Sequence, residues 1–468
     1  MSSGSCTEGL DRVVRSEPDS RKRDLLKMSD MSTLTKALSL SKLTQPENAS
    51  SFEIPPNRAP KLPRDHARHY EVQSDWHFFV AHLQDQESGE RHAALLLLKG
   101  FSLAGPKHLR KDQLKDNSIE LAQLNVTSKD GFVGGPEVLV PGSETTSLGR
   151  PFVMKHSEKY YMKSTGSDIF PMKVYANAPG ACLDVTVTSK KEMFPQGENG
   201  FFGLSGAIGW GYYSYTNLLV SGTLKIGSKV LKVGGKGWFD HQWGTIGRMG
   251  SPLYRTLNYV SSVISKPKSM SGWNWFAIQL DNDVEFTTAY GNFWDKNGNV
   301  VVQDDNKPWY GKYSFADGTS KYVSSGVKIK VLRRTTSPHT GGSYPIEWEI
   351  SEESQNLKVK MVAYTDDQFA LRTDGTEYAE NATTVSGTMG SRQVTGVGWG
   401  ENVGFTSESR VLKSRMMAAG LPINSTAIKA ISDAPGRTNR SRGLKGLAIA
   451  VVILMVLIYV KKCKKKSK

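Results

Sequence analysis

An acid, a base and two indole rings lie within eleven residues of the chain, in the segment GGKGWFDHQWG (residues 234–244). The carboxyl group of Asp240 and the imidazole of His241 can donate or accept a proton when their surroundings tune their pKa values. The rings of Trp238 and Trp243 can contact an apolar ligand and stabilise a positive charge that develops on it. The segment is therefore suited to proton transfer on a hydrophobic molecule.

Side chains in this segment would alternate between the two faces of a β-strand. One face would carry Phe239, His241 and Trp243, and the other would carry Trp238, Asp240 and Gln242. We expect His241 and Trp243 to line the interior of a β-barrel, with Asp240 on the opposite face, where it can pair with a neighbouring strand. A hydrogen-bonded histidine of the protein core, with no catalytic role, would fit the same pattern.

Several common catalytic and cofactor motifs are missing from the sequence. The histidines His77, His82 and His92 form no metal-binding pattern of the HExxH type, and Ser205 in GLSGA does not form a nucleophile elbow. Walker and dinucleotide-binding fingerprints are also missing. We therefore expect no metal and no redox or nucleotide cofactor.

Short segments rich in β-branched and aromatic residues recur from residue 76 onward, with Gly, Asn or Asp turns between them. About 340 residues of this pattern predict a mainly antiparallel β protein with two barrel or sandwich domains. The strand rhythm breaks after residue 244. We place the N-terminal β domain at residues 66–247 and the C-terminal β domain at residues 248–407. A flexible leader (residues 1–65) would precede them and a basic linker (residues 408–445) would follow.

The apolar run GLAIAVVILMVLIYV (residues 446–460) precedes a polybasic tail, KKCKKKSK (residues 461–468). Fifteen helical residues reach about 22 Å, short of the roughly 30 Å hydrocarbon core, but flanking lysines can snorkel to the membrane surface. We interpret the run as a single-pass transmembrane helix rather than a buried core helix or an amphipathic surface helix.

The orientation of this anchor follows from the N-terminus, which has no apolar signal-peptide core. A tail anchor would hold the body in the cytosol, on the endoplasmic reticulum or another intracellular membrane. The final KKSK has the form of a dilysine retrieval signal, which would instead require this end to be cytosolic.

The formal net charge of +15 does not indicate a nucleic-acid partner. Ten of the cationic side chains lie in residues 437–468, which contain no acid, so the rest of the chain carries about +5. No zinc-finger spacing, basic helix or aromatic RNA-binding motif accompanies that charge. We expect no nucleic-acid binding.

Several ordered motifs between about residues 75 and 405 resemble one known family. They are SDWHFFVAHLQD with GERHAALLLLKG, YYSYTNLLVSGTLKIG with VGGKGWFDHQWG, WNWFAIQLDNDVEFTTAYGNFWDKNG, and YAENATTVSG with VTGVGWGENVGF. Together they are similar to the lipocalin-like family that contains carotenoid 1,2-hydratase, the AttH-like proteins and fungal Diels-Alderases.

The resemblance implies two lipocalin-like β domains packed side by side, in agreement with the strand pattern. It also implies that His241 and Trp243 line a pocket. Asp281, Glu380 and Glu401 lie in matching strands and are further candidate acids. Members of this family protonate alkenes, add water or cyclise polyenes, so the shared fold does not fix the reaction.

The first functional hypothesis is an enzyme that hydrates, isomerises or cyclises a hydrophobic isoprenoid, polyene or lipid by acid/base chemistry. Its catalytic residues would be His241 and Asp240, and its substrate-binding residues would be Trp243, Trp238, Tyr212, Tyr213, Trp76 and Trp275. The second is a lipid-binding or lipid-transfer protein in which the same aromatic side chains only contact the ligand. In the third, the DHQWG segment only stabilises the fold.

Overall fold

The computed structural model of the chain describes residues 52–406, apart from gaps at 54, 103–104, 111–112, 135–137, 141–143, 146–148, 205–207, 246–268, 295–299, 302–304, 307 and 372–376. Most of the predicted leader, the linker at 408–445, the transmembrane helix at 446–460 and the polybasic tail lie outside the described residues. Within them, no helix has both the length and the apolar character needed to cross a bilayer.

The first half of the chain forms one curled antiparallel sheet of 14 strands. These are β1 (Ser74–Asp85), β2 (Arg91–Ser102), β3 (Ser118–Ser128), β4 (Gly131–Gly134), β5 (Val138–Val140), β6 (Glu144–Thr145), β7 (Val153–Ser157), β8 (Tyr160–Ser164), β9 (Met172–Ala178), β10 (Ala181–Ser189), β11 (Phe194–Pro195), β12 (Phe201–Leu204), β13 (Ile208–Ile226) and β14 (Lys229–Thr245). Their order is β4-β3-β2-β1-β14-β13-β10-β9-β8-β7-β6, with β5 on β3 and with β11 and β12 on β13. Short 3-10 turns span Arg64–His66 and Lys115–Asn117.

The second half forms a 12-stranded antiparallel sheet. Its strands are β15 (Ser269–Leu280), β16 (Glu285–Trp294), β17 (Val300–Val301), β18 (Asp305–Asn306), β19 (Tyr310–Ser314), β20 (Ser320–Val323), β21 (Val327–Thr336), β22 (Ser343–Glu352), β23 (Leu357–Ala363), β24 (Phe369–Leu371), β25 (Glu377–Met389) and β26 (Arg392–Val403). The order is β18-β21-β22-β23-β25-β26-β15-β16-β19-β20, with β17 on β16 and β24 on β25. The prediction of a mainly antiparallel β protein with two lipocalin-like domains is confirmed.

Three apolar clusters follow from the alternation of side chains along these strands. One fills the inside of the N-terminal sheet, around Phe79 and Phe239. A second fills the inside of the C-terminal sheet, around Trp348. The third lies between the sheets and joins Trp238 of β14 to Trp275 of β15. The outer faces of the two sheets are thus packed against each other.

Strand β14 is central to the N-terminal sheet because it pairs with β1 on one side and β13 on the other. His241 lies opposite His77 of β1 and opposite Tyr213 of β13. A β-bulge interrupts the pairing of β13 with β14 between Tyr215 and Leu218, which places an extra residue in β13. The register on either side of the bulge determines which side chains face inward.

The segment before β1 is part of the N-terminal domain, although the sequence placed residues up to 65 in a flexible leader. Phe52 is buried, and the side chain of Arg58 forms an ion pair with the buried Asp65. His66, in the 3-10 turn, inserts beside Tyr213 with its Nδ1 2.7 Å from the tyrosine hydroxyl. The apolar and polar contacts of this segment explain why it is ordered despite its prolines.

Candidate functional site

Strand β14 separates the predicted site residues into two groups, because successive side chains of a strand lie on opposite faces. His241, Trp243 and Tyr213 lie inside the N-terminal barrel, whereas Asp240, Trp238, Tyr212, Trp76 and Trp275 lie between the two sheets. Asp240 and His241, both predicted as catalytic, therefore do not share a site. The neighbouring residues Tyr212 and Tyr213 are separated in the same way.

The group inside the barrel forms an interior cluster, which we define as His69, Asp75, His77, Tyr213, His241 and Trp243. His241 is fully buried, and its ring centroid lies 4.8 Å from that of Trp243 and 3.8 Å from that of His77, on which it stacks. The indole of Trp243 also stacks on the ring of His69, with the two centroids 4.5 Å apart. Gly211 makes this packing possible, since a Cβ there would lie 2.3 Å from the Trp243 ring.

Hydrogen bonds fix the orientation of His241. Its Nδ1 lies 2.9 Å from the backbone carbonyl oxygen of Asp65, which can only accept, so Nδ1 carries the hydrogen. Its Nε2 lies 3.2 and 3.3 Å from the two carboxylate oxygens of Asp75. The backbone N–H of His69 also donates to Asp75, at 2.9 Å.

Electrostatics favour a neutral His241 and an ionised Asp75. Burial lowers the pKa of His241 below its ordinary value, against the opposing charge of Asp75. Burial alone would raise the pKa of Asp75, but its contact with His241 and the charge of Arg68 hold it below its usual range. Arg68 lies 3.8 Å from Asp75 and 3.6 Å from Glu120, so the interior cluster adjoins a buried ion-pair network. These groups are already engaged with one another.

The group between the sheets forms an interdomain cluster, which we define as Tyr212, Trp238, Asp240, Trp275, Glu380 and Glu401. Asp240 is 4% exposed and accepts three hydrogen bonds, from Tyr212 at 2.8 Å, from the indole N–H of Trp238 at 2.7 Å, and from Ser214. Burial nevertheless outweighs these three donors and raises the pKa of Asp240 to about 7. Glu401 contributes to this rise through its charge.

Two further carboxyl groups face this region from the C-terminal sheet. Glu380 of β25 lies directly opposite Glu401 of β26 in the strand register. Glu380 accepts a hydrogen bond from the Trp399 indole at 2.6 Å, and Glu401 accepts one from Trp273 at 3.1 Å. Burial and the neighbouring charge of Glu401 raise the pKa of Glu380 well above its ordinary value. The geometry therefore favours a proton held by this carboxyl pair at neutral pH.

Aromatic rings surround these carboxyl groups. Trp275 lies opposite Glu401 in the register and packs edge-on against Trp238, with centroids 5.9 Å apart. Its buried indole N–H has no hydrogen-bond partner among the described residues. Trp76 is half-buried and contacts Trp210 at 4.9 Å. Indole faces next to protonatable acids can bind an apolar molecule and stabilise positive charge on it.

The two clusters differ in what they can do chemically. The interior cluster binds its charged groups to one another by ion pairs and carbonyl contacts. The interdomain cluster combines carboxyl groups of raised pKa with buried aromatic rings and an indole N–H that has no hydrogen-bond partner in the described part of the chain. Acid catalysis on an apolar ligand therefore fits the interdomain cluster, which contains Asp240 but not His241.

Sequence reasoning found some of these residues and missed others. Asp281, considered together with Glu380 and Glu401, lies on the surface near Thr395 and Arg392. His69 and Asp75 were not predicted, because their proximity to His241 depends on pairing between segments about 166 residues apart. The only local signal was the position of Asp75 one residue before Trp76, in the first resembling motif.

Comparison with known proteins supports the fold. The model of the AttH-like family matches residues 53–405. A solved AttH structure from Nitrosomonas europaea is 18% identical, covers 75% of this chain and 99% of its own, and has a TM-score of 0.59. The structure of kievitone hydratase from Nectria haematococca is 15% identical, covers 76% of this chain and 98% of its own, and has a TM-score of 0.51. No curated protein sequence matches the chain.

Proposed function

The chain belongs to the AttH-like family, and we propose that it is a hydratase-type enzyme that protonates an alkene of a hydrophobic small molecule at the interdomain cluster. The Glu380–Glu401 pair is the main support for this proposal, since two opposed carboxyl groups lie against indole rings and within electrostatic range of Asp240. The similarity to the fold of a kievitone hydratase agrees with hydration as the reaction type.

The first step is proton transfer from Glu380. Three carboxyl groups cannot all ionise at low cost in a buried space, so the cluster retains at least one proton near neutral pH. The alkene π electrons take this proton and form a C–H bond, which leaves a carboxylate on Glu380 and a carbocation on the second alkene carbon.

The second step is capture of the cation. The indole faces of Trp238 and Trp275, together with the carboxylate formed by Glu380, stabilise the positive charge. A water molecule adds through its oxygen to form the C–O bond, and its extra proton returns to the carboxyl pair. The enzyme ends in its starting protonation state, and the product has gained one water.

The substrate class follows from the surroundings of the acids. The rings that border the cluster are large and apolar, and the half-buried Trp76, Phe202 and Trp309 extend this surface towards solvent. We propose an isoprenoid, polyene or other lipid-like alkene. Residues 446–460, as the proposed anchor, would hold the protein near substrates dissolved in a membrane.

The experiment uses the purified full-length protein in water enriched in heavy oxygen, with kievitone and an acyclic carotenoid as probes. We expect a product that has gained one labelled water, detected by mass spectrometry. Glu380→Gln should lower the rate by at least about 100-fold, because amides do not supply the proton. Glu377→Gln, on the same strand and bonded to Ser337 and Thr340 instead, is the matched control and should retain activity.

Other outcomes separate the alternatives. A product of unchanged mass would indicate isomerisation or cyclisation by the same acid. Probes that bind equally to wild type and Glu380→Gln and are recovered unchanged would contradict catalysis and indicate a lipid-binding protein. Product formation that persists unchanged in Glu380→Gln would rule out the assigned proton donor.

A further inference from the structure

We propose that the interior cluster binds one divalent transition-metal ion, with His69, Asp75 and His241 as ligands. Each of these buried residues offers one donor atom, and the three atoms lie within 4.8 Å of one another. His69 comes from the segment before β1, Asp75 from β1 and His241 from β14. An ion here would connect that segment to the centre of the barrel.

The contact between His241 and Asp75 is the first argument. Nδ1 of His241 donates to the Asp65 carbonyl, so Nε2 is the ring nitrogen that faces the Asp75 carboxylate. A cation between Nε2 and the carboxylate would be bound by both. Two ligands of a tetrahedral zinc ion, each bonded at about 2.0–2.2 Å, lie roughly 3.3–3.5 Å apart. The observed separations are 3.2 and 3.3 Å.

His69 supplies the second argument. Its Nε2 is buried and has no hydrogen-bond partner among the described residues. Its Nδ1 lies 3.0 Å from a carboxylate oxygen of Glu71, the arrangement in which an outer carboxylate orients a metal-binding histidine. The ring is stacked on Trp243, with planes 10° apart, so it can slide towards Asp75 without losing that contact.

His77 supplies the third argument. Its Nε2 lies 3.2 Å from the carbonyl oxygen of His66, so the hydrogen is on Nε2 and the lone pair is on Nδ1. That Nδ1 lies 3.5 Å from Asp75, is buried and has no hydrogen-bond partner among the described residues. A proton shared by His241 and Asp75 would satisfy one contact, whereas an ion would also bind Nε2 of His69, which lies 4.0 Å from a carboxylate oxygen of Asp65, and Nδ1 of His77. His77 is the candidate for the fourth ligand.

The donor set identifies the class of ion. Two or three imidazoles with one carboxylate suit zinc and its neighbours in the first transition series, whereas magnesium and calcium prefer oxygen ligands. The site lies on the opposite face of β14 from the interdomain cluster, so it does not rest on the proposed function. We expect the ion to stabilise the N-terminal domain by linking elements that are distant in sequence.

The test uses full-length protein that has been treated with a chelator, dialysed and titrated with zinc chloride or cobalt chloride. We expect one ion per chain by calorimetry and elemental analysis, visible absorption of the cobalt form typical of tetrahedral nitrogen and oxygen ligands, and a higher melting temperature with zinc. In His69→Ala, the affinity should fall at least about 100-fold and the zinc-dependent rise in melting temperature should be lost.

Matched variants make the result decisive. His92→Ala removes a buried histidine outside the cluster and should bind zinc as wild type does. If His69→Ala fails to fold, Glu71→Gln tests the outer partner and should weaken binding by about 10-fold. Failure of the wild type to bind one zinc or cobalt ion per chain would overturn the proposal. Unchanged affinity in His69→Ala, or in Glu71→Gln where that variant replaces it, would overturn it equally. The alkene assay is separate, so either proposal can fail without the other.

Discussion

Glu380 and Glu401, the proposed acid pair, lie opposite each other on β25 and β26. Folding buries Glu380 next to a like charge, which favours its protonated form. The folded state therefore holds a proton that the unfolded chain releases near pH 4.5. The contribution of this group to stability decreases as the pH rises from that value through the raised pKa.

We predict a pH dependence of activity on this basis. The protonated donor is the active form, so the rate should fall as the pH rises through the pKa of Glu380. Glu401→Gln removes the neighbouring charge that raises this pKa, so the fall should move to lower pH. Rate profiles of the two proteins check the shift, and the protonated carboxyl band in infrared spectra at neutral pH should weaken in Glu380→Gln, where Asp240 still contributes to it. Identical profiles would contradict the role of Glu401.

At this scale the sequence gives only partial guidance. The types and spacing of Trp238, Asp240, His241 and Trp243 predict a reactive segment, and the period of two assigns these residues to the faces that the structure shows. The same period implies that the adjacent Asp240 and His241 cannot share a pocket, although both were taken as catalytic. Glu380 was noted only through the family resemblance, because an isolated glutamate in a strand carries no signal of burial.

Strands β13 and β14 position both clusters, and their close packing depends on Gly211. A methyl group at this position would overlap the indole of Trp243. We predict that Gly211→Ala destabilises the protein by about 1–3 kcal/mol, since the overpacked ring must move. Urea unfolding measures the change. Gly234→Ala on β14 is the control, because its added methyl group would meet its nearest neighbour at 3.4 Å, and it should change stability by less than about 1 kcal/mol.

Strand identity was predictable from local pattern, whereas strand partners were not. The β-branched and aromatic segments indicated an antiparallel fold, and the structure confirms it. The pairing of β1 with β14 joins residues 148 to 170 positions apart, and its register follows from the complete barrel. The interior cluster depends on that register, so His69 and Asp75 were missed.

The two sheets are held together by polar bonds as well as by the aromatic cluster. Lys191 of the N-terminal domain lies 2.7 Å from Glu285 of β16, and both side chains are buried. Asn217 also donates to Glu285, at 2.8 Å, and Gln279 donates to the carbonyl of Gly237 at 2.9 Å. These bonds cross the boundary between the domains and fix the geometry of the interdomain cluster.

We predict that Lys191→Met destabilises the protein by about 3–5 kcal/mol, because it leaves the buried charge of Glu285 without its cation. Burial already raises the pKa of Glu285, so this carboxyl can neutralise itself by protonation as the pH falls. The loss of stability caused by Lys191→Met should therefore be smaller at about pH 5 than at about pH 8. Urea unfolding at both pH values checks the difference, and adding Glu285→Gln should recover most of the loss. A pH-independent effect would argue against a buried charge as its cause.

The number and class of domains followed from the sequence, but the surface between them did not. Alternating strands predict one inward and one outward face, and the outward face is normally polar. Here the outward faces of β1, β14, β15 and β26 carry tryptophans and acids. Such residues on an outer face indicate a partner surface, which in this chain is the other domain.

The bulge in β13 gives the protein an unusual tolerance of a change in chain length. The extra residue frees Thr216 and Asn217 from regular pairing, and both reach Glu285 across the domain boundary. Deleting one residue there would restore an unbroken ladder, because Tyr215 and Leu218 would then be two positions apart and would both still face inward. Tyr212 and Tyr213 would keep their faces, so the loss of a single codon would leave this wall of the barrel as it is and remove one of the two polar side chains that cross to Glu285.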